Sequence, residues 1–158
     1  MIETQQLGTI LGLLMLVAGT QFFVSGQSDE KNERREHSIE GTWRTSVTPR
    51  NCVTGVPVGP AFPGLLAFAD GGTLTGTSTV AASVFGVWER EHGGRYSFAF
   101  TNFRYNPSGV FIGTQTVRQS ATLGGGDDFT STGTVEIFDT NGNLIGSGCA
   151  TSTGTRFE

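Results

Sequence analysis

A short phrase returns three times along this chain, and it restricts the fold more than any other feature. It reads Phe68-Ala-Asp-Gly-Gly72-Thr-Leu74-Thr-Gly76-Thr77, then Tyr105-Asn-Pro-Ser-Gly109-Val-Phe111-Ile-Gly113-Thr114, then Phe138-Asp-Thr-Asn-Gly142-Asn-Leu144-Ile-Gly146-Ser147. Each copy has an aromatic, a polar turn with Gly, an apolar residue two places later, and Gly before Thr or Ser. This is the pattern of a β-hairpin: Gly supplies a positive φ at the turn, and the apolar residue restarts the face that the aromatic closed. Evenly spaced hairpins predict an up-and-down β-barrel, whose natural cargo lies inside it. On this reading Phe68, Leu74, Tyr105, Phe111, Phe138 and Leu144 share a face.

The remaining residues extend this to eight strands. The first runs from Gly41 to Val47 and is followed by a loop holding Pro49, Asn51, Cys52, Pro57, Pro60 and Pro63, too rich in Pro to lie within a sheet. Strands are then expected over 64–68, 73–80, 84–91, 95–105, 110–123, 129–139 and 144–157, with tight turns between them. Aromatics at 96, 98 and 100 and then at 103 and 105 break the alternation, which predicts a β-bulge near Thr101-Asn102. The meander closes most simply by pairing its last strand with its first. With 24 Gly, abundant Thr and one Lys, Lys31, the composition suits strands better than helices. The net charge of −4 comes without a basic patch, which argues against nucleic-acid binding.

The first residues read differently. Leu7 to Val24 is almost wholly apolar and ends at Ser25-Gly26, a small-residue pair like a signal-peptidase site. The six residues before it carry Glu3 and no Lys or Arg, the wrong sign for an export signal. Residues 1–27 are therefore read as a cleaved signal peptide, an uncleaved membrane anchor or a soluble apolar helix, with any membrane contact made through 7–24. Residues 28–40 form a charged linker, and 41–158 the barrel domain. Export places the domain outside the cytoplasm, secreted or periplasmic, or tethered to a membrane. Two cysteines in such a compartment pair, so Cys52–Cys149 is expected to be a disulfide, against the alternative of two free buried thiols.

Gly41-Thr42-Trp43 on the first strand and Arg156 near the end of the last resemble the calycin group, the lipocalins and their relatives. The resemblance implies that Trp43 plugs the closed end of the barrel beneath the guanidinium of Arg156. The Thr-Asp-Tyr motif of typical lipocalins is missing, and no helix follows the barrel. Avidins also open with Gly-Thr-Trp, but two Trp are too few for a Trp-lined pocket.

The densest aromatic set, Trp88, Tyr96, Phe98 and Phe100, is the expected ligand-binding wall, with Phe111 and Gln115 directed inward beside it. Inward-facing Arg156 predicts inward Gly148, Ala150 and Ser152 and outward Cys149. Glu136 is the candidate general base if its face turns inward; in the opposite register Val135 and Ile137 do so. Neither metal-ligand spacing nor a phosphate-binding loop is present, and no cofactor is expected. The function expected is carriage of a small, largely apolar molecule in the lumen. The alternatives are a cofactor-free cyclase or isomerase acting on an apolar substrate, and a structural domain with a filled core.

Overall fold

Eight runs rich in Thr, Val, Phe and Gly each form a strand, because alternate positions find an apolar interior and a solvated exterior. The computed structural model describes residues 38–125 and 127–157; the expected leader and residues 28–37 of the expected linker lie outside these. The strands are β1 (Gly41–Arg50), β2 (Phe62–Ala69), β3 (Thr73–Ser78), β4 (Ala81–Arg90), β5 (Arg95–Tyr105), β6 (Phe111–Gly124), β7 (Asp128–Phe138) and β8 (Leu144–Arg156). Each pairs antiparallel with the next, and β8 returns to β1 in a register running from Trp43↔Arg156 to Arg50↔Cys149, so the barrel is closed. Closure removes both sheet edges.

The repeated phrase is a hairpin in all three copies. Phe68↔Leu74, Tyr105↔Phe111 and Phe138↔Leu144 are direct cross-strand partners, and Gly72, Gly109 and Gly142 hold positive φ in the turns. The three pairs do not share a face, however. Phe68 and Leu74 point inward and are buried, whereas Tyr105, Phe111 and Leu144 are exposed on the outside. The first hairpin turns at the closed end of the barrel and the other two at the open end, where register shifts between Arg104 and Tyr105 and between Ile137 and Phe138 displace the alternation.

The bulge expected near Thr101-Asn102 is absent. Pairing of β5 with β6 is unbroken from Arg95↔Thr122 to Arg104↔Gly113. Instead, Asn102 takes the inward place that an aromatic holds at 96, 98 and 100, and Phe103 takes the outer one. Pairing with β4 stops at Thr101, so the end of the β5–β6 hairpin stands clear of its neighbour and its outer face carries the displaced aromatics.

The core is concentrated at the closed end. Trp43, Phe68, Leu74, Trp88, Tyr96, Phe98 and Phe129 form one buried cluster with Ile39 from the segment just before β1. Phe68 is its hub, with its ring edge-on to Trp88, Phe98 and Phe129 at centroid distances of 6.3, 5.3 and 6.2 Å. Such pairs contribute about 0.5–1.5 kcal/mol each beyond simple burial.

Candidate functional site

The floor of the barrel is built on Trp43. Its indole is fully buried and donates from Nε1 to the carbonyl of Ile39 at 2.7 Å. The Arg156 guanidinium carbon lies 4.3 Å from the Trp43 ring centroid. Arg156 also donates from Nη1 to Glu40 O at 2.7 Å and from Nη2 to Ser38 O at 2.9 Å, which ties residues 38–40 across the base. Asp127 adds a carboxylate 3.5 Å from Nε. A planar cation stacked on the indole and bonded along its own plane suits Arg and not Lys.

Above this floor a cavity of about 310 Å³ begins. Its wall includes Leu66, Val84, Phe98, Phe100, Val117 and Ala150, and it opens between the β1–β2 loop and the β3–β4 turn, beside Val58 and Val80. The space exists because much of the inner surface of β8 is small: Gly148, Ala150 and Ser152 line it, and a Cβ added to Gly148 would meet nothing within 4 Å. Opposite stand Phe98 and Phe100, whose rings lie nearly parallel with centroids 6.4 Å apart.

Several polar side chains reach this wall, Gln115 among them, and some are already engaged. Gln119 accepts from the hydroxyls of Ser131 and Ser152 at its Oε1, so that oxygen is filled. Arg50, at the mouth, donates from Nε to Thr151 Oγ1 and from Nη1 to Gly55 O, bracing the β1–β2 loop. Asn102 differs. It is 5% exposed, lines the cavity and donates from Nδ2 to Phe103 O at 3.3 Å. Its Oδ1 is the single buried side-chain polar atom without a partner among the described residues. A buried carboxamide oxygen left unpaired costs about 1–3 kcal/mol.

The residues expected at the ligand wall divide into three groups. Phe98, Phe100 and Gln115 line the cavity. Trp88 and Tyr96 face inward but belong to the packed floor: the Trp88 ring lies 6.0 Å from Tyr96, and its Nε1 donates to Ala69 O at 2.8 Å. Phe111 lies on the outside, 40% exposed, against Phe103 and Tyr105, because the register shift at the β5–β6 tip turns it away from the lumen. Sequence reasoning passed over Asn102. The signal for it was a polar residue at the even-numbered place that continues the run 96, 98, 100.

Of the two registers left open for β7, Val135 and Ile137 line the cavity and Glu136 faces outward, ion-paired with Arg118. Its carboxylate is thus turned away from the cavity lining. No carboxylate, histidine, lysine or tyrosine lines the cavity among the described residues. In the same residues, no group of His, Cys, Asp and Glu is placed to hold a metal ion. Cys52 and Cys149 are bonded to each other, fixing the β1–β2 loop to β8 beside the mouth. In comparisons with known families and with curated proteins, the sequence matches no family model and no curated protein.

Proposed function

We propose that this protein carries a small, largely apolar molecule in its barrel, oriented by one hydrogen bond to Asn102, in an oxidising compartment outside the cytoplasm. The observation that carries this reading is the pairing of an apolar cavity with two carboxamides on its wall, Gln115 and Asn102, the latter with a buried oxygen that has no partner. A space of this size gives up the packing contacts that larger side chains on β8 would make. A barrel that keeps the void by placing Gly148, Ala150 and Ser152 on one wall keeps it for an occupant.

Asn102 Oδ1 accepts, so the ligand supplies a donor such as a hydroxyl or an amide N–H. With no cation deep in the lumen, an ionised carboxylate would be buried unpaired, which is strongly unfavourable. The part of the occupant held deep in the lumen is thus neutral, and a charged end would have to sit at the mouth beside Arg50. The disulfide supports the compartment, because such bonds persist where thiols are not kept reduced. A cofactor-free cyclase or isomerase would need an acid or base at the reacting atoms, and the lining offers none.

The test is a pair of apolar fluorescent probes, one a hydrocarbon and one its alcohol, titrated into the protein and into Asn102→Leu. The parent binds the alcohol more tightly, and N102L removes that preference while still taking the hydrocarbon. Failure of both probes to bind folded protein would defeat carriage. Equal preference in parent and variant would defeat only the orienting role of Asn102.

A further inference from the structure

The two ends of the barrel differ in chemistry. At the closed end the turns carry Asp70, Glu91, Asp127 and Asp128. At the open end, residues 51–61, 79–80 and 106–110 contain no charged residue, and 139–143 contains only Asp139. In place of charge the open end has valines at its tips. Val53 is 94% exposed, and Val56, Val58, Val80 and Val110 are each more than half exposed. Water normally selects against such residues on projecting turns, and a cluster of them marks a surface meant to be covered.

Two features say what covers it. Val58 and Val80 belong both to the exposed rim and to the cavity wall, so apolar surface runs unbroken from the outside into the lumen. The tips sit on three connections: Val53, Val56 and Val58 on the β1–β2 loop, Val80 on the β3–β4 turn and Val110 on the β5–β6 turn. A folded partner would need a complementary plug, whereas a fluid apolar phase conforms to each tip separately. Just below the rim, Phe103, Tyr105 and Phe111 form an exposed outer group in edge-to-face contact. Of these, Tyr105 is the ring with a polar tip, the kind that settles at the boundary between lipid headgroups and acyl chains. Arg50 and Arg104 stand at this end against Asp139, while at the far pole Glu40, Asp70, Glu89, Glu91, Asp127 and Asp128 outnumber Arg44, Arg90, Arg95 and Arg156, so an anionic bilayer meets the less repelled end.

We infer that the open end of the barrel docks on a lipid surface, with the valine tips entering the headgroup boundary and the cavity mouth facing the membrane. The described chain enters the barrel at the closed end, where Ile39 packs under Trp43. Strength of such binding follows the apolar area buried.

The experiment places a reporter at the rim of the full chain by Val53→Trp, a position exposed enough to accept it. Trp43 and Trp88 are buried in the floor and give a constant background. With phosphatidylcholine vesicles carrying brominated acyl chains, the introduced indole is expected to shift to the blue and lose intensity. The parent's emission should stay unchanged. Adding Val56→Asp and Val58→Asp to V53W should abolish both effects, and the unaltered floor fluorescence will report that the barrel remains folded. Replacing part of the lipid by phosphatidylglycerol should leave binding as strong or stronger. An unquenched reporter on vesicles that do bind the protein means that the closed end faces the bilayer and overturns the proposal. So does quenching that survives the two Asp substitutions. A blue shift without lipid that grows with protein concentration assigns the rim to a second copy of the chain instead.

Discussion

Gly154 is small because Phe129 needs its space. A Cβ at this position would fall 2.1 Å from Cε1 of the Phe129 ring, and that ring meets Trp43 edge-on at 5.1 Å. Gly154→Ala is therefore expected to lower stability by about 1–3 kcal/mol, as overpacking does. Phe129→Leu in the same chain should recover part of the loss, measured as a double-mutant cycle in denaturant. Trp43→Ala removes the floor itself and should cost about 3–5 kcal/mol, read as a shift of the denaturation midpoint. An unchanged midpoint would show that the stack of Arg156 on Trp43 does not hold the closed end.

Asp139 shows the same dependence on local geometry at a turn. Its carboxylate accepts from the Asn143 side chain, then from backbone N–H groups of Asn143 and Asn141, and these bonds hold its pKa below the ordinary Asp value. A lowered folded-state pKa means the stabilisation is fully present above the ordinary Asp range. It is lost as pH falls through the lowered value. Carboxyl NMR titration should place Asp139 below the ordinary Asp range, and Asp139→Asn should remove this acid dependence of the β7–β8 turn.

Among the connections, the β1–β2 loop is the long one, and it is held at two points. Arg50 braces it to β8 through Thr151, and the Cys52–Cys149 bond closes 97 residues of chain. The chain-entropy account of a loop that long gives about 4–5 kcal/mol. Reduction should lower the unfolding free energy by about that amount, read from a lower denaturation midpoint, and mass measurement after alkylation of unreduced protein should find no free thiol. Because the loop also forms one side of the mouth, reduction should loosen entry to the lumen before it unfolds the barrel. The β5–β6 hairpin plays the opposite part: its tip stands free of β4, so its aromatics face outward.

For the molecule as a whole, the decisive question is whether the space between the aromatic floor and the valine rim is used. Gly148→Phe tests this, since its Cβ meets no atom within 4 Å and its ring would enter the cavity. The expected result is loss of probe binding with a thermal midpoint that is equal or higher, because the ring fills space without displacing packed atoms. If the substitution unfolds the barrel, the cavity is narrower than its lining implies. If probes still bind with unchanged affinity, they bind elsewhere.

The sequence alone determined the eight strands, their order and the closure of the sheet. Those features rest on local turn chemistry at Gly72, Gly109 and Gly142 and on period-two alternation, both of which act over a few residues. It also singled out Phe98, Phe100 and Gln115, which the run of parity along β5 and β6 brings to one wall. Tertiary structure decided the rest. Trp88 and Tyr96 joined the floor rather than the cavity, because depth along the barrel axis depends on strand stagger that no single strand encodes. Phe111 went outside and Glu136 went outside, because a one-residue register choice turns a side chain to the other face, and register is settled only when neighbouring strands pair. The same pairing left Asn102 buried with an unpartnered oxygen beside an apolar space, a juxtaposition of β5 with the small residues of β8 that exists only once the sheet has closed.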